Sequence, residues 1–130
     1  MTLRSLIVDD NGHFLAAASD LLQREGMAVV GVASTTAEAV QLAGELQPDV
    51  ALVDIDLGDE SGFDVAQRLA GVTGADRSRV VLISAYPERD FVDLIAASPA
   101  VGFLSKSELS AKRIHELVGS TDGGGQADRG

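Results

Sequence analysis

Two carboxylates one residue apart, Asp54 and Asp56, follow the apolar, β-favouring run Val50-Ala51-Leu52-Val53. An adjacent pair, Asp9-Asp10, follows Leu6-Ile7-Val8, while Ser84 closes a run over residues 80–83 and Lys106 stands just beyond another over 101–104. Carboxylates gathered at one place repel each other, so they must lose charge, spread apart or hold a cation. A hard divalent ion suits them: Mg²⁺ keeps several waters and takes a few carboxylates plus phosphate oxygens. An Asp beside such an ion, with a cationic Lys and a hydroxyl donor nearby, can attack a phosphoryl group and become an aspartyl phosphate.

That chemistry requires the runs to end at a common edge. Residues 50–53 are too few for a helix and too uniformly aliphatic for a strand with one wet face, so they read as a strand buried on both sides. Residues 3–8, 27–33, 80–83 and 101–104 read as four more strands. Between them, Phe14, Leu15, Ala18, Leu21 and Leu22 have helical spacing over 11–24, with Gly26 suited to a left-handed C-cap. Thr35 and Glu38 make a capping box for a helix carrying Val40, Ala43 and Leu46 and ending before Pro48. Phe63, Ala66, Leu69 and Ala70 form the face of a third helix, and residues 71–78 read as a connection. Pro87 opens a fourth helix whose stripe is Phe91, Leu94 and Ile95; the last runs from about 108 or 110 to 118, with Ile114, Leu117 and Val118 inward.

Five βα units in succession imply a doubly wound α/β fold with a parallel sheet and right-handed crossovers. In the order 2-1-3-4-5 the four strands ending in Asp9-Asp10, Asp54-Asp56, Ser84 and Lys106 are neighbours, and the strand without such a group lies at the edge. Residues 1–118 are expected to form one domain, and the polar, glycine-rich 119–130 a flexible tail or the stub of a linker.

Composition narrows the function. The 130 residues are 45% hydrophobic but only 4% aromatic, so the core must be Leu, Val, Ile and Ala. A net charge of −10 disfavours direct contact with nucleic acid or anionic membrane and favours a cation or a basic partner surface. The absence of Cys fits a reducing compartment, and no apolar run reaches the roughly 18 residues of a membrane span, so a cytoplasmic location is expected.

Val8-Asp9-Asp10, Leu52-Val53-Asp54-Ile55-Asp56-Leu57, Ser84-Ala85 and Gly102-Phe103-Leu104-Ser105-Lys106 together resemble the receiver domain of two-component response regulators, from Leu3 to about Val118. The resemblance implies a flavodoxin-like sheet and a phosphoacceptor at Asp54. It implies Mg²⁺ or Mn²⁺ held by Asp9, Asp10, Asp54 and the backbone carbonyl of Asp56. Ser84, Ala85 and Lys106 would bind the phosphoryl group, with Ser84 and Phe103 as the pair whose coupled rearrangement reports it. The implied partners are a histidine kinase or histidine phosphotransfer protein, then a downstream protein or a DNA-binding output domain, with a homodimer forming on phosphorylation. Such a chain is a switch that assists its own phosphorylation and dephosphorylation, not an enzyme turning over an external substrate. Two features depart from the family: Leu57-Gly58 stands where Met-Pro is common, and Lys106 precedes Ser107 instead of Pro, so a trans bond is expected there.

Plainer readings stand beside these. Asp9-Asp10 can cap the first helix; Asp59 and Glu60 read as a solvated acidic loop; His13 and His115 as solvated helix residues; Tyr86 as a gate or as packing. Asp54-Ile55-Asp56-Leu57-Gly58 also partly resembles the Asp-x-Asp-x-Thr signature of haloacid-dehalogenase-like phosphohydrolases, with Gly58 in place of Thr. A phosphate-independent adaptor on the same fold is the third alternative.

Overall fold

The computed structural model describes residues 3–73 and 79–126, with side chains described for 3–70 and 79–119. The elements are β1 (Arg4–Val8), α1 (Gly12–Arg24), β2 (Ala28–Ala33), α2 (Thr36–Leu46), β3 (Val50–Asp54), a hairpin of β4 (Asp56–Leu57) and β5 (Glu60–Ser61), α3 (Gly62–Thr73), β6 (Arg79–Ser84), α4 (Val92–Ala97), β7 (Gly102–Ser105) and α5 (Ala111–Gln126). The main sheet is parallel in the order β2-β1-β3-β6-β7, which is 2-1-3-4-5 when the hairpin is set aside. This is the doubly wound α/β fold the alternation predicts.

Both faces of the sheet are covered, as the uninterrupted aliphatic runs require. Leu6, Val8, Ala51, Val53, Val80, Leu82 and Phe103 meet Ala39 and Ala43 of α2 and Val65, Ala66 and Leu69 of α3. On the other face Ile7, Val50, Leu52, Val81, Ile83 and Leu104 meet Ala18 and Leu22 of α1 and Ile114 and Val118 of α5. Each fully buried Leu, Ile or Val contributes about 1.5–3 kcal/mol, so β3, buried along its whole length, is fixed firmly in place.

The caps set where the helices start. Asn11, and not Asp9 or Asp10, caps α1: its Oδ1 accepts from the N–H groups of His13 and Phe14 at 3.0 and 3.1 Å. Gly26 takes φ +94° just beyond that helix, as its position predicts. Thr35 Oγ1 accepts from the Glu38 N–H at 3.2 Å, while Glu38 Oε1 reaches one residue further back than a capping box requires, to the N–H and hydroxyl of Ser34 at 2.8 and 3.1 Å.

Three stretches differ from the sequence reading. The chain after Pro87 forms a 3₁₀ turn over Glu88–Asp90 and then a helix of six residues. Phe91 is the non-helical residue between them, so the stripe loses its phase: Phe91 and Ile95 pack on the core but Leu94 is 53% exposed. α3 runs to Thr73, and the remainder of the connection, 74–78, lies outside the described residues. α5 stays helical to Gln126, eight residues past Val118, with no Pro in between to break it. Residues 127–130 of the expected tail lie outside the described residues. The peptide bond from Lys106 to Ser107 is trans.

Candidate functional site

The sheet register brings the polar strand ends together. Val8 pairs with Val53, so Asp9 emerges beside Asp54; Asp54 pairs with Ile83, and Ser84 pairs with Ser105, which places Lys106 at the same edge. The result is a cleft of about 270 Å³ lined by Asp9, Asp10, Asp54, Asp56, Ser84, Ala85 and Lys106, together with Asn11, Gly58 and Tyr86. Phe103, one strand position before Leu104, points away from this cleft into the α3 side of the core, with its ring centroid 6.4 Å from that of Phe91.

Lys106 is the hub. Its Nζ lies 2.7 Å from Asp9 Oδ2 and 3.3 Å from Asp54 Oδ2, and it stands 4.4 Å above the centre of the Phe14 ring. The other oxygens are also engaged: Asp9 Oδ1 accepts from the Asn11 N–H at 2.9 Å, and Asp54 Oδ1 from the Asp56 N–H at 3.2 Å. Ser84 Oγ accepts from the Tyr86 N–H at 2.9 Å, which leaves its hydroxyl proton available to an acceptor in the cleft.

The electrostatics follow from burial. Asp9 is wholly buried and Asp54 is 5% exposed, so two carboxylates face one ammonium. Burial, then the charge of Asp9, raises the Asp54 carboxyl to about 6, against the opposing pull of Lys106 and the Asp56 N–H. Burial alone would lower the Lys106 ammonium, but hydrogen bonding to Asp9 and the charges of both carboxylates outweigh it and raise its pKa, so it stays charged.

The residues present fit a hard cation. One oxygen each from Asp9, Asp10 and Asp54 lies within 4.8 Å of the others, and Asp10 is exposed, so a bound ion would keep water on that side. Asp56 contributes differently from the other acids: its side chain turns outward and its Oδ1 accepts from the Gly58 N–H at 3.1 Å. Gly58, at φ +74° in the hairpin turn, passes so close to Asp10 that an added Cβ would stand 3.2 Å from Asp10 Oδ2.

Sequence reasoning missed three contributors. Phe14 looked like one more apolar residue of the α1 stripe, yet its ring face carries the Lys106 ammonium. Gly62 packs directly on the end of β3: a Cβ there would overlap the Asp54 carbonyl oxygen, and its N–H donates to the Ile55 carbonyl at 2.8 Å. Glu60, read as a solvated acid, accepts from the Thr36 N–H and hydroxyl at 2.7 and 2.8 Å. A glycine opening a helix was the visible signal for Gly62; neither of the others had one.

Comparison with known proteins agrees with this geometry. The chain is similar to the transcriptional regulatory protein PdtaR of Mycobacterium tuberculosis, with 30% identity over 125 residues, covering 88% of this chain and 60% of that one. It is similar also to the protein-glutamate methylesterase/protein-glutamine glutaminase 5 of Myxococcus xanthus, with 33% identity over 119 residues, 90% of this chain and 34% of that one. Among solved structures, the signal receiver domain of a modulated diguanylate cyclase from Desulfovibrio desulfuricans G20 superposes with a TM-score of 0.76 at 29% identity, covering 92% of this chain and 93% of that one. The chain spans about half the length of the curated relatives it matches. No helix among the described residues is long and apolar enough to cross a membrane. The response regulator receiver domain family matches residues 5–119, nearly the whole sheet and all the strand ends that build the cleft, and the chain belongs to that CheY-like family of two-component signalling.

Proposed function

We propose that this chain is a phosphorylation-dependent switch in which Asp54 accepts a phosphoryl group from a phosphohistidine on a histidine kinase or phosphotransfer protein. One observation carries the reading: an ammonium, Lys106 Nζ, is held between Asp9 and Asp54 in an acidic cleft that the Ser84 hydroxyl also lines. An oxygen of the Asp54 carboxylate forms a bond to phosphorus as the P–N bond of the donor breaks. The electron pair returns to the imidazole nitrogen, which takes up a proton. Lys106, already charged, offsets the incoming negative charge, and the Ser84 hydroxyl donates to a phosphoryl oxygen, with the Ala85 backbone beside it. Asp9, Asp10, Asp54 and the Asp56 carbonyl would hold Mg²⁺ or Mn²⁺, which supplies further charge neutralisation when bound.

The readout follows from the same atoms. When Ser84 turns toward a phosphoryl group it gives up its place beside Tyr86, and the neighbouring Phe103 ring, packed on Phe91, is free to follow. That couples the cleft to the face made by α4, β7 and α5, where Tyr86, Val92 and Leu94 are exposed. A phosphoryl group that favours one arrangement of this face shifts its population and so its affinity for a downstream partner or a second copy. Residues 1–118 constitute the switch, and what it controls is either a partner protein or an output domain.

The test is Mg²⁺-dependent labelling by a small-molecule phosphodonor such as phosphoramidate. Wild type should gain one phosphoryl group and Asp54→Asn none; labelling of Asp54→Asn at the wild-type level would remove Asp54 from its role.

A further inference from the structure

The β4–β5 hairpin has no core of its own, yet it supplies two walls of the cleft. Two residue pairs join it, Asp56 with Ser61 and Leu57 with Glu60, and a ladder this short is not stable unaided. Leu57 anchors one strand by burial. The other strand is held by Glu60, whose Oε1 accepts from both the N–H and the hydroxyl of Thr36 at the first turn of α2. That end of α2 is itself tied to the site, because the Asp9 N–H donates to the carbonyl of Ala33 at 3.0 Å, three residues before Thr36. The connections close a ring: Asp9, residues 33–36, Glu60, the hairpin, then Asp56 and Gly58 back at the cleft.

We propose that Glu60 is a positioning residue for the metal site, a clasp that fixes the hairpin against α2 so that Asp56 and Gly58 stay at the rim beside Asp10. This rests on the acidic cleft being a Mg²⁺ site, as proposed above. The clasp is favoured by its chemistry. A carboxylate at a helix N-terminus receives two donors and the positive end of the helix dipole, and the Thr36 N–H bond, then that of its hydroxyl, hold the Glu60 carboxyl below its usual range, with Arg68 nearby adding to the effect. Glu60 touches neither the phosphoacceptor nor the metal ligands. It acts through the hairpin.

The experiment uses the full chain and two readouts. Amide hydrogen exchange in metal-free buffer reads the clasp itself: Glu60→Ala should speed exchange across residues 56–61 at least tenfold while β1 and β3 exchange as in wild type. Calorimetric titration with MgCl₂ reads the consequence, and loss of such a supporting partner should weaken Mg²⁺ binding by about tenfold. Glu60→Gln keeps an acceptor oxygen and should recover most of both effects, and Thr36→Val, which removes only the hydroxyl, should fall between. Unchanged hairpin exchange in Glu60→Ala overturns the clasp. Faster hairpin exchange with unchanged Mg²⁺ affinity overturns its positioning role, and equal acceleration in β1 and β3 reduces it to general stability. A wild-type chain that takes up no Mg²⁺ overturns the acidic-site reading instead, and the exchange arm then decides the clasp alone.

Discussion

The Asp54 carboxyl, raised to about 6 by burial and by Asp9, is ionised at neutral pH against the preference of its surroundings. In the unfolded chain the same group titrates near 3.9. Between those values the native state binds more protons than the unfolded one, so this group's contribution to stability falls as pH rises through about 4 to 6. Asn has the same shape without the charge. In metal-free buffer Asp54→Asn is therefore expected to be more stable than wild type at pH 8, by about 1–3 kcal/mol, with the difference shrinking below pH 6 and vanishing near pH 4. Urea melts at several pH values check this, and a variant less stable than wild type at pH 8 would contradict it. The gap is a measure of what a cation bound beside Asp54 would have to work with. At this scale the sequence was most legible where chemistry demanded a residue type at a strand end, as with Asp9, Asp54, Ser84 and Lys106. It was least so where an ordinary residue acquires its role only by proximity, as Phe14 does beneath Lys106.

At the scale of elements, the main strands and α1, α2 and α3 were legible because aliphatic runs and helical spacing report burial directly. The β4–β5 hairpin was not, since two residues per strand leave no period to read, and its stabilising partner in α2 lies twenty-four positions away from Glu60. The fourth helix was over-read for a related reason: Phe91, Leu94 and Ile95 keep helical spacing on paper, but Phe91 falls outside the helix. Gly62 shows how an element's position can depend on one missing atom. At the start of α3 it lets the helix approach β3 so closely that any Cβ would overlap the Asp54 backbone carbonyl, which is not the movable end of a side chain. Gly62→Ala should thus force α3 away from β3, costing about 2–4 kcal/mol and weakening Mg²⁺ binding in whatever protein still folds. Gly102→Ala is the control, because the nearest atoms to its Cβ belong to the Leu117 side chain and not to backbone, and it should cost less and leave the cleft unaltered. Thermal melts and Mg²⁺ titrations of both separate the cases; a Gly62→Ala chain as stable as Gly102→Ala would show that α3 can yield.

For the whole molecule the governing quantity is a net charge of −10, with three of the acids drawn together at the sheet's edge. Two kinds of cation stabilisation follow, and they differ in form. Monovalent salt screens the general self-repulsion over a Debye length of roughly 10 Å at 0.1 M, an effect that grows smoothly and belongs to no residue. A specific ion at the Asp9, Asp10 and Asp54 oxygens stabilises by mass action, about 2.7 kcal/mol when its concentration is a hundred times its Kd. Composition made the first effect legible; the second was legible only through the strand order, which the register setting Val8 beside Val53 and Ser84 beside Ser105 bears out. Melting wild type in MgCl₂ and in NaCl of equal ionic strength should therefore show an additional, saturating rise with Mg²⁺. Asp10→Asn should lose most of that increment while keeping the smooth response to NaCl, because Asp10 is exposed and its removal leaves the Asp9–Lys106–Asp54 arrangement in place. If NaCl reproduces the whole effect of MgCl₂ in wild type, the acidic edge is screened but not occupied, and charge balance at the cleft rests with Lys106 alone.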